Sequence, residues 1–218
     1  GYHRMIQHGQ SQAAQAIDFA EELAMDNEHE QAEYRGMLHV LKAYNAIFNQ
    51  DMAQAMEHTD AALLTLPKES TYWRNGVSII SGDASLFSAK PRKALGYYME
   101  AYRNSRGEQN LYQYISSGFK TATALLFCGA LADAEQITRT LIQEGTEGGL
   151  SSAPRVGLLW VLLGELKRDQ GDFAEAVQLM ERGLDMSAPE KPSYAWNCLF
   201  RIGLAYSMQD RLKATELL

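Results

Sequence analysis

The sequence predicts an all-α protein, a right-handed superhelical solenoid of helix hairpins with a period of about 40 residues. The first observation is a set of six anchor positions whose successive spacings are 39, 39, 40, 42 and 39 residues. The anchors are Ala16, Ala55, Ala94, Ala134, Ala176 and Thr215. The second is a small residue twelve positions before each of the last five anchors, at Ala43, Gly82, Ala122, Gly164 and Gly203. The third is that no stretch shows the period of two that a β-strand requires.

The paired small residues have a physical explanation. Two antiparallel helices joined by a short turn can approach closely only where neither carries a bulky side chain at the crossing. A small residue on the first helix and another on the second helix meet this requirement. The pattern therefore predicts hairpins that stack on one another and bury their apolar faces against their neighbours.

Six units follow from the anchors, and together they form one predicted repeat domain over residues 1–218. Their approximate bounds are 1–29, 30–69, 70–108, 109–149, 150–191 and 192–218. We expect the chain to be a fragment of a longer protein, because it begins inside a hairpin and stops at Leu217 and Leu218, within a helix. Neither end carries the polar cap that a solenoid needs.

The turns between helices can be placed most clearly in the fifth unit. Its first helix is expected to begin near Pro154, which suits the first helical turn. Gly171 is expected to end that helix in a left-handed conformation, and Asp172 to cap the following helix. In the third unit, Pro91 is expected to start the second helix for the same reason as Pro154.

Two segments depart from the pattern. Arg4 occupies the expected small position of the first unit, so the first helix of that unit is expected to be truncated or irregular. The longest predicted loop covers residues 144–152. Its glycine-rich segment 145–149 is interpreted as a flexible connector, because it lacks the lysine and the helix geometry of a phosphate-binding loop.

The composition is that of an ordinary globular chain, with 46% hydrophobic and 22% charged residues. The net charge of −7 disfavours direct nucleic-acid binding, which needs clustered lysine and arginine. No run approaches the roughly 18 apolar residues of a membrane span, and no signal peptide is visible. Cys128 and Cys198 are interpreted as buried free thiols, which suits a reducing cytoplasm; a disulfide is the alternative.

No catalytic or metal-binding constellation stands out in the sequence. The five histidines are scattered and are interpreted as surface or structural residues, so no metal site is predicted. They are His3, His8, His29, His39 and His58. There is no GxSxG elbow, no Cys/His pairing and no GxxxxGK[ST] loop. The sequence therefore predicts a protein that is not an enzyme.

The expected binding surface is the inner groove, which the first helices of the hairpins line. The position after each small residue is expected to point partly inward, and so is the position three residues further on. The candidate ligand-binding residues on this surface are Tyr44, Asp83, Thr123, Glu165 and Arg168. Packing between repeats, or a solvated inner face, is the alternative interpretation of these positions.

Aromatic residues near this groove fall into two sets. Four of them can supply stacking and hydroxyl contacts to a ligand: Tyr72, Trp73, Tyr112 and Tyr114. The other four are expected in the core: Tyr97, Tyr98, Trp160 and Trp196.

Three sequence runs carry a resemblance to a known family. The pattern Trp160-x-x-Leu-Gly, followed by Gly171-x-Phe-x-x-Ala, resembles the tetratricopeptide repeat (TPR). Together with Ala61-Ala-Leu-Leu-Thr-Leu-Pro67 and Ala124-Leu-Leu-Phe-Cys-Gly129, it is similar to the MalT-like repeat region of the large ATP-binding LuxR-family (LAL/STAND) transcriptional regulators. The resemblance implies an ATPase module before the repeats and a helix-turn-helix after them. ATP is then expected only in the N-terminal module, outside this chain, which needs no cofactor of its own.

The leading functional hypothesis follows from that resemblance. It implies an effector-sensing and protein-interaction domain of a bacterial transcriptional activator, which binds a small-molecule inducer or a regulatory protein and can self-associate. Two alternatives remain. One is a general TPR adaptor that binds a peptide or protein in its concave groove, and the other is a helical accessory domain of a larger enzyme.

Overall fold

A computed structural model describes residues 28–106, 110–151 and 153–187, together with Gln15, Ile17, Arg201, Gly203 and Leu204. Eight helices and no strand occur in these residues. The helices are α1 (Glu28–Phe48), α2 (Met52–Thr65), α3 (Thr71–Phe87), α4 (Pro91–Ser105), α5 (Leu111–Phe127), α6 (Leu131–Glu147), α7 (Pro154–Asp169) and α8 (Phe173–Ser187). The predicted all-α architecture is therefore confirmed.

The chain divides into two compact units, residues 1–104 and residues 105–218. In the first unit, α1 packs against α2, α2 against α3, and α1 against α3. In the second unit, α5, α6 and α7 repeat the same set of neighbours, and α8 packs closely on α7. The two helices of a hairpin thus contact each other in α1–α2, α5–α6 and α7–α8. In addition, α1 contacts α3 and α5 contacts α7, so the first helices of successive hairpins also touch. That the six units form one domain stays a prediction.

The small residues lie at the helix crossings, as the sequence predicted. All eight that fall in complete hairpins are buried: Ala43, Ala55, Gly82, Ala94, Ala122, Ala134, Gly164 and Ala176. A Cβ atom at Gly164 would lie 2.6 Å from the Cγ of Met180 and 2.7 Å from the carbonyl oxygen of Ala176. These distances are too short for non-bonded atoms, so α7 and α8 approach as closely as they do only because position 164 is glycine.

One turn geometry ends the first helix of each of the four hairpins in the described residues. The residue two positions beyond the helix has a positive φ, and its amide and the next one donate to carbonyls of the last helical turn, the pattern of a Schellman cap. The left-handed residues are Gln50, Ala89, Gly129 and Gly171. The predicted cap at Gly171 is confirmed, with φ +88°, and the Asp172 side chain accepts a hydrogen bond of 3.1 Å from the Glu175 amide. Pro91 and Pro154 begin α4 and α7, as expected.

The predicted flexible connector at 145–149 is wrong in its first half. Helix α6 continues to Glu147, and Gly145 is buried within it. A Cβ atom at Gly145 would lie 2.9 Å from the Cδ1 of Ile115 and 3.0 Å from the Cγ2 of Val156. Glycine at position 145 therefore allows α6 to pack closely against α5 and α7. The chain leaves the helix at Gly149, which has φ +80°.

Several expectations fall outside the described residues. They concern Arg4, Thr215, Trp196, Cys198, Leu217 and Leu218. Cys128 is described. It is a free thiol at the end of α5, and it is half-buried where the sequence predicted full burial. Among the residues that the structure describes, no helix is both long enough and apolar enough to cross a membrane.

Candidate functional site

Glu165 on α7 is the most deeply buried carboxylate among the five candidate residues, with 7% of its surface exposed. Two arginines face it: Arg168, whose Nη1 lies 3.9 Å from Oε1, and Arg201, whose Nη1 contacts Oε2 directly. Burial raises the pKa of the Glu165 carboxyl, although the charges of Arg201 and Arg168 act in the opposite direction. The site is therefore an ion pair held in a largely apolar setting, where a charge without a partner is costly.

A small cavity adjoins this ion pair and brings two more residues to it. Its volume is about 20 Å³, and its lining comes from α5, α7 and Arg201: Phe119, Thr123, Leu158, Val161, Leu162, Glu165 and Arg201. A space of this size holds about one water molecule, whereas drug-sized ligands occupy roughly 300–1,000 Å³. The Thr123 hydroxyl donates to the carbonyl of Phe119, at 2.9 Å. Thr123 and Glu165 thus line the same space, which is too small for a sugar, and Arg168 lies beside it through its ion pair with Glu165.

The other two candidates lie in the first unit and have different surroundings. The Asp83 carboxylate accepts a hydrogen bond of 2.5 Å from the hydroxyl of Tyr98. Tyr44 is half-buried and packs against a core cluster of α1, α2 and α3: Val40, Ala43, Ala62, Leu66, Val77 and Ile80. Both side chains take part in the packing of their own unit, the alternative that the sequence left open. Ligand binding by either stays a prediction.

The aromatic residues divide between surface and core. Tyr72 and Tyr112 are exposed, Trp73 packs on the cluster that holds Tyr44, and Tyr114 is buried. Of the aromatics expected in the core, Tyr98 is buried, whereas Tyr97 and Trp160 are half-buried.

Two features of this surface were missed from the sequence. Phe119 and Arg201 line the cavity but do not occupy the two positions that were taken to point inward. Phe119 lies four residues before Thr123, and Val161 lies four residues before Glu165, so each pair shares one helix face. A search that included the position three residues before each small residue would have found Phe119.

An open groove in the first unit is larger than this cavity. Its volume is about 580 Å³, and its lining is Ile47, Phe48, Gln50, Met52 and Phe87. The two phenylalanines are the last residues of α1 and α3, and they are 65% and 67% exposed. Large side chains with that exposure form an apolar surface of the kind that marks interaction sites.

A pair of histidines also comes together in the first unit. His39 on α1 and His58 on α2 place their Nδ1 atoms 3.3 Å apart, and their ring centroids lie 5.4 Å apart. The centroids are farther apart than the nitrogens, so the rings meet edge to edge. The sequence treated these residues as scattered.

Comparison with known proteins decides the family. The family described as the MalT-like TPR region matches residues 36–218 of the chain. The chain belongs to this family. The MalT-like resemblance of the sequence runs is thereby confirmed. No curated protein matches the chain in sequence.

Solved structures with a similar fold support the same architecture. BtubC (BKLC) from P. vanneervenii has a TM-score of 0.72 at 17% identity, covering 98% of this chain and 88% of BtubC. The apo form of RapI has a TM-score of 0.65 at 12% identity, over 94% of this chain and 56% of RapI. A putative kinesin light chain from Podosopora anserina, described as having nearly identical TPR-like repeats, has a TM-score of 0.61 at 17% identity, over 88% of this chain and 93% of that one.

These likenesses concern the fold. The MalT-like region is a TPR-type array of helical hairpins, as the sequence predicted. Repeats of this type are protein-interaction scaffolds, in which stacked hairpins present an extended surface to a partner.

Proposed function

We propose that this MalT-like region is the effector-sensing and protein-interaction part of a bacterial transcriptional activator, working in the cytoplasm without catalytic activity of its own. The observation that supports the proposal is the family match over residues 36–218. ATP hydrolysis and DNA binding belong to other modules of the same regulator. The net charge of −7 agrees with a region that does not itself contact nucleic acid.

The proposed sensing site is the ion pair of Glu165 and Arg201 with the cavity beside it. Its polar groups can exchange their mutual contact for hydroxyl or charged groups of an inducer. Because the cavity holds about one water molecule, a small-molecule inducer has to separate α5 from α7, or displace Arg201, in order to enter. An inducer that binds the opened form better than the closed form shifts the population between them. That shift is the signal passed to the rest of the regulator, and we propose self-association as its outcome.

A ligand screen tests the sensing site. The chain is heated with sugars, phenolics, amino acids and nucleotides, and a rise in melting temperature marks a ligand. Glu165→Gln is expected to lower the affinity for that ligand at least several-fold, because it removes the charge that pairs with Arg201. Glu69→Gln removes an exposed carboxylate of the first unit and serves as the matched control. Equal affinity in both variants would place the ligand elsewhere.

The gene that encodes the chain tests the regulatory role. A P-loop ATPase module encoded upstream and a helix-turn-helix downstream are expected in the same reading frame. A reading frame that encodes neither module would rule out the proposal that the chain is part of a transcriptional activator.

A second function, that of a protein adaptor, is favoured by the groove between Phe48 and Phe87. Its volume of about 580 Å³ accommodates apolar side chains of a partner protein. Phe48→Ser together with Phe87→Ser is expected to abolish capture of that partner by the immobilised chain. Phe127→Ser removes the exposed phenylalanine at the same repeat position of the second unit and serves as the control. Capture that survives both phenylalanine changes in the first unit would exclude this groove.

A further inference from the structure

The α1–α2 hairpin holds two imidazole rings in an arrangement that the proposed function does not use. His39 and His58 are half-buried, and they stand on facing helices, 19 residues apart in the chain. Their Nδ1 atoms lie 3.3 Å apart. Two Nδ1 atoms at this distance either share one proton in a hydrogen bond or bind one cation between them.

The separation of the two nitrogens is compatible with both. At 3.3 Å, one ring donates its Nδ1–H to the Nδ1 of the other when no metal is bound, and the tautomers decide which ring is the donor. Two Zn–N bonds of about 2.0–2.1 Å that meet at the tetrahedral angle place their nitrogens about 3.3–3.4 Å apart. The rings therefore already have the spacing of two ligands on one tetrahedral zinc ion.

We propose that His39 and His58 form a Zn²⁺ site that links α1 to α2. Each ring contributes its Nδ1 lone pair, and any proton shared between the rings is released to solvent when the metal binds. Within the residues that the structure describes, no group of three or more His, Cys, Asp or Glu side chains is placed to hold a metal. Water therefore completes the coordination, and the affinity is lower than that of a closed four-ligand site.

The charges around the pair set the protonation state and the strength of the site. Burial lowers the pKa of His58, the nearby charge of Lys42 lowers it further, and the charge of Glu57 raises it. A neutral imidazole is the form that binds metal, so a lowered pKa favours the metal-binding form of His58 at neutral pH. Lys42 also repels the cation itself, and Glu57 attracts it.

Zinc titration of the whole chain tests the site, in a background without other histidines and without cysteines. The background replaces His3, His8 and His29 with asparagine and Cys128 and Cys198 with serine, leaving His39 and His58 as the last two of five histidines. Calorimetry is expected to find one zinc ion per chain, and zinc is expected to raise the melting temperature until a chelator is added. His39→Asn and His58→Asn, made singly, are each expected to abolish both effects.

Folding of each variant is checked by its melting curve without zinc, and a variant that does not fold is replaced by the glutamine substitution at the same position. Failure of the background chain to bind zinc would overturn the proposal. So would zinc binding that persists in either single histidine variant, because the metal would then be held by other groups.

Two charge substitutions sharpen the test, because they predict opposite directions. Lys42→Gln is expected to tighten zinc binding about two- to fivefold, and Glu57→Gln to weaken it by a similar factor. Lys90→Gln removes a positive charge at the α3–α4 turn and is expected to leave the affinity unchanged. Equal shifts for Lys42→Gln and Lys90→Gln would mean that zinc responds to net charge alone, and the assignment to His39 and His58 would fail.

Discussion

The hydroxyl of Tyr98 on α4 donates a hydrogen bond of 2.5 Å to the carboxylate of Asp83 on α3. The Tyr98 ring is 1% exposed, and it occupies space that any side chain at Gly82 would fill. A buried phenol requires a partner for its hydroxyl. Asp83, which the sequence offered as a ligand contact, provides that partner and holds the second hairpin together.

Removing both sides of this bond is expected to cost less than the sum of the two single removals. Asp83→Ala leaves the Tyr98 hydroxyl buried without its acceptor and is expected to lower the free energy of unfolding by about 1–3 kcal/mol. Tyr98→Phe is expected to cost about 0.5–1.5 kcal/mol. In the double variant the loss should fall below the sum of the two, as urea denaturation would measure. Strictly additive losses would mean that the two groups do not interact in solution.

Tyr98 also predicts how the chain responds to alkali. Burial raises the pKa of its phenol above the usual 10.0, and the charge of Asp83 and the hydrogen bond to it raise the pKa further. A pKa that is higher in the folded state contributes stability that is complete below the unfolded value and is lost as pH rises beyond it. We expect the free energy of unfolding to fall above pH 10, and to fall less steeply in Tyr98→Phe. Identical alkaline profiles would show that Tyr98 ionises freely.

Two glycines within helices are expected to respond in opposite ways to the same substitution. Gly164→Ala forces a methyl group against Met180 and is expected to destabilise the chain by about 1–3 kcal/mol, with Gly164→Leu and Ala176→Leu costing more. Gly96 on α4 has nothing within 4 Å of an added Cβ, so Gly96→Ala is expected to stabilise by about 0.5–1 kcal/mol. Thermal melting of the two alanine variants tests this, because the melting temperature should fall for Gly164→Ala and rise for Gly96→Ala. A loss in both, or in neither, would mean that the register of the helix crossings is wrong.

The parts of the fold that local rules govern could be predicted from the sequence. Small residues at fixed spacing placed the crossings, and the glycine at position 171 and the proline at position 154 marked helix ends, because each rule needs only the residue type and its neighbours in the chain. The glycine at position 145 was misread. A glycine inside a helix and one in a loop look the same in sequence when the helix that crowds it is distant in the chain.

The residues that make up the candidate sites were harder to predict from the sequence. His39 stands four residues before Ala43 and His58 three residues after Ala55, so the crossing of those two alanines already placed the histidines opposite each other. The cavity beside Glu165 could not be foreseen, because its size depends on how far α5 and α7 rotate and separate. Inward direction was inferred from two positions per helix, whereas a cavity is lined by every residue on that helix face.

Helix caps with a side chain in the left-handed region offer room for stabilisation. Ala89 has φ +56°, a conformation in which the Cβ of an L-residue is crowded, so Ala89→Gly is expected to stabilise by about 0.5–1 kcal/mol. Gly171→Ala introduces the same crowding at φ +88° and is expected to cost about 1 kcal/mol. Ser88→Gly is the matched control, because Ser88 has φ −84° and gains nothing from the change. Stabilisation by Ser88→Gly equal to that of Ala89→Gly would mean that the turn is rearranged in solution.

A carboxylate at the boundary between α6 and α7 predicts the response to acid. Gln170, Arg139 and Lys167 all donate to Glu135, and these hydrogen bonds lower the pKa of its carboxyl from 4.5 to about 2, against the effect of partial burial. A pKa that is lower in the folded state contributes stability that is present above the unfolded value of 4.5 and is lost as pH falls toward 2. We expect this loss to be about 1 kcal/mol, because the group lies near the surface.

Glu135→Gln isolates that contribution. The variant is expected to be less stable than the natural chain at pH 7, and the difference between them should shrink as pH falls from 4.5 to about 2 in denaturation curves. Salt is expected to reduce the difference at pH 7, since partly exposed ion pairs are screened. A difference that stays constant over that whole range would mean that Glu135 stabilises the α6–α7 boundary through its shape and hydrogen bonds alone, without its charge.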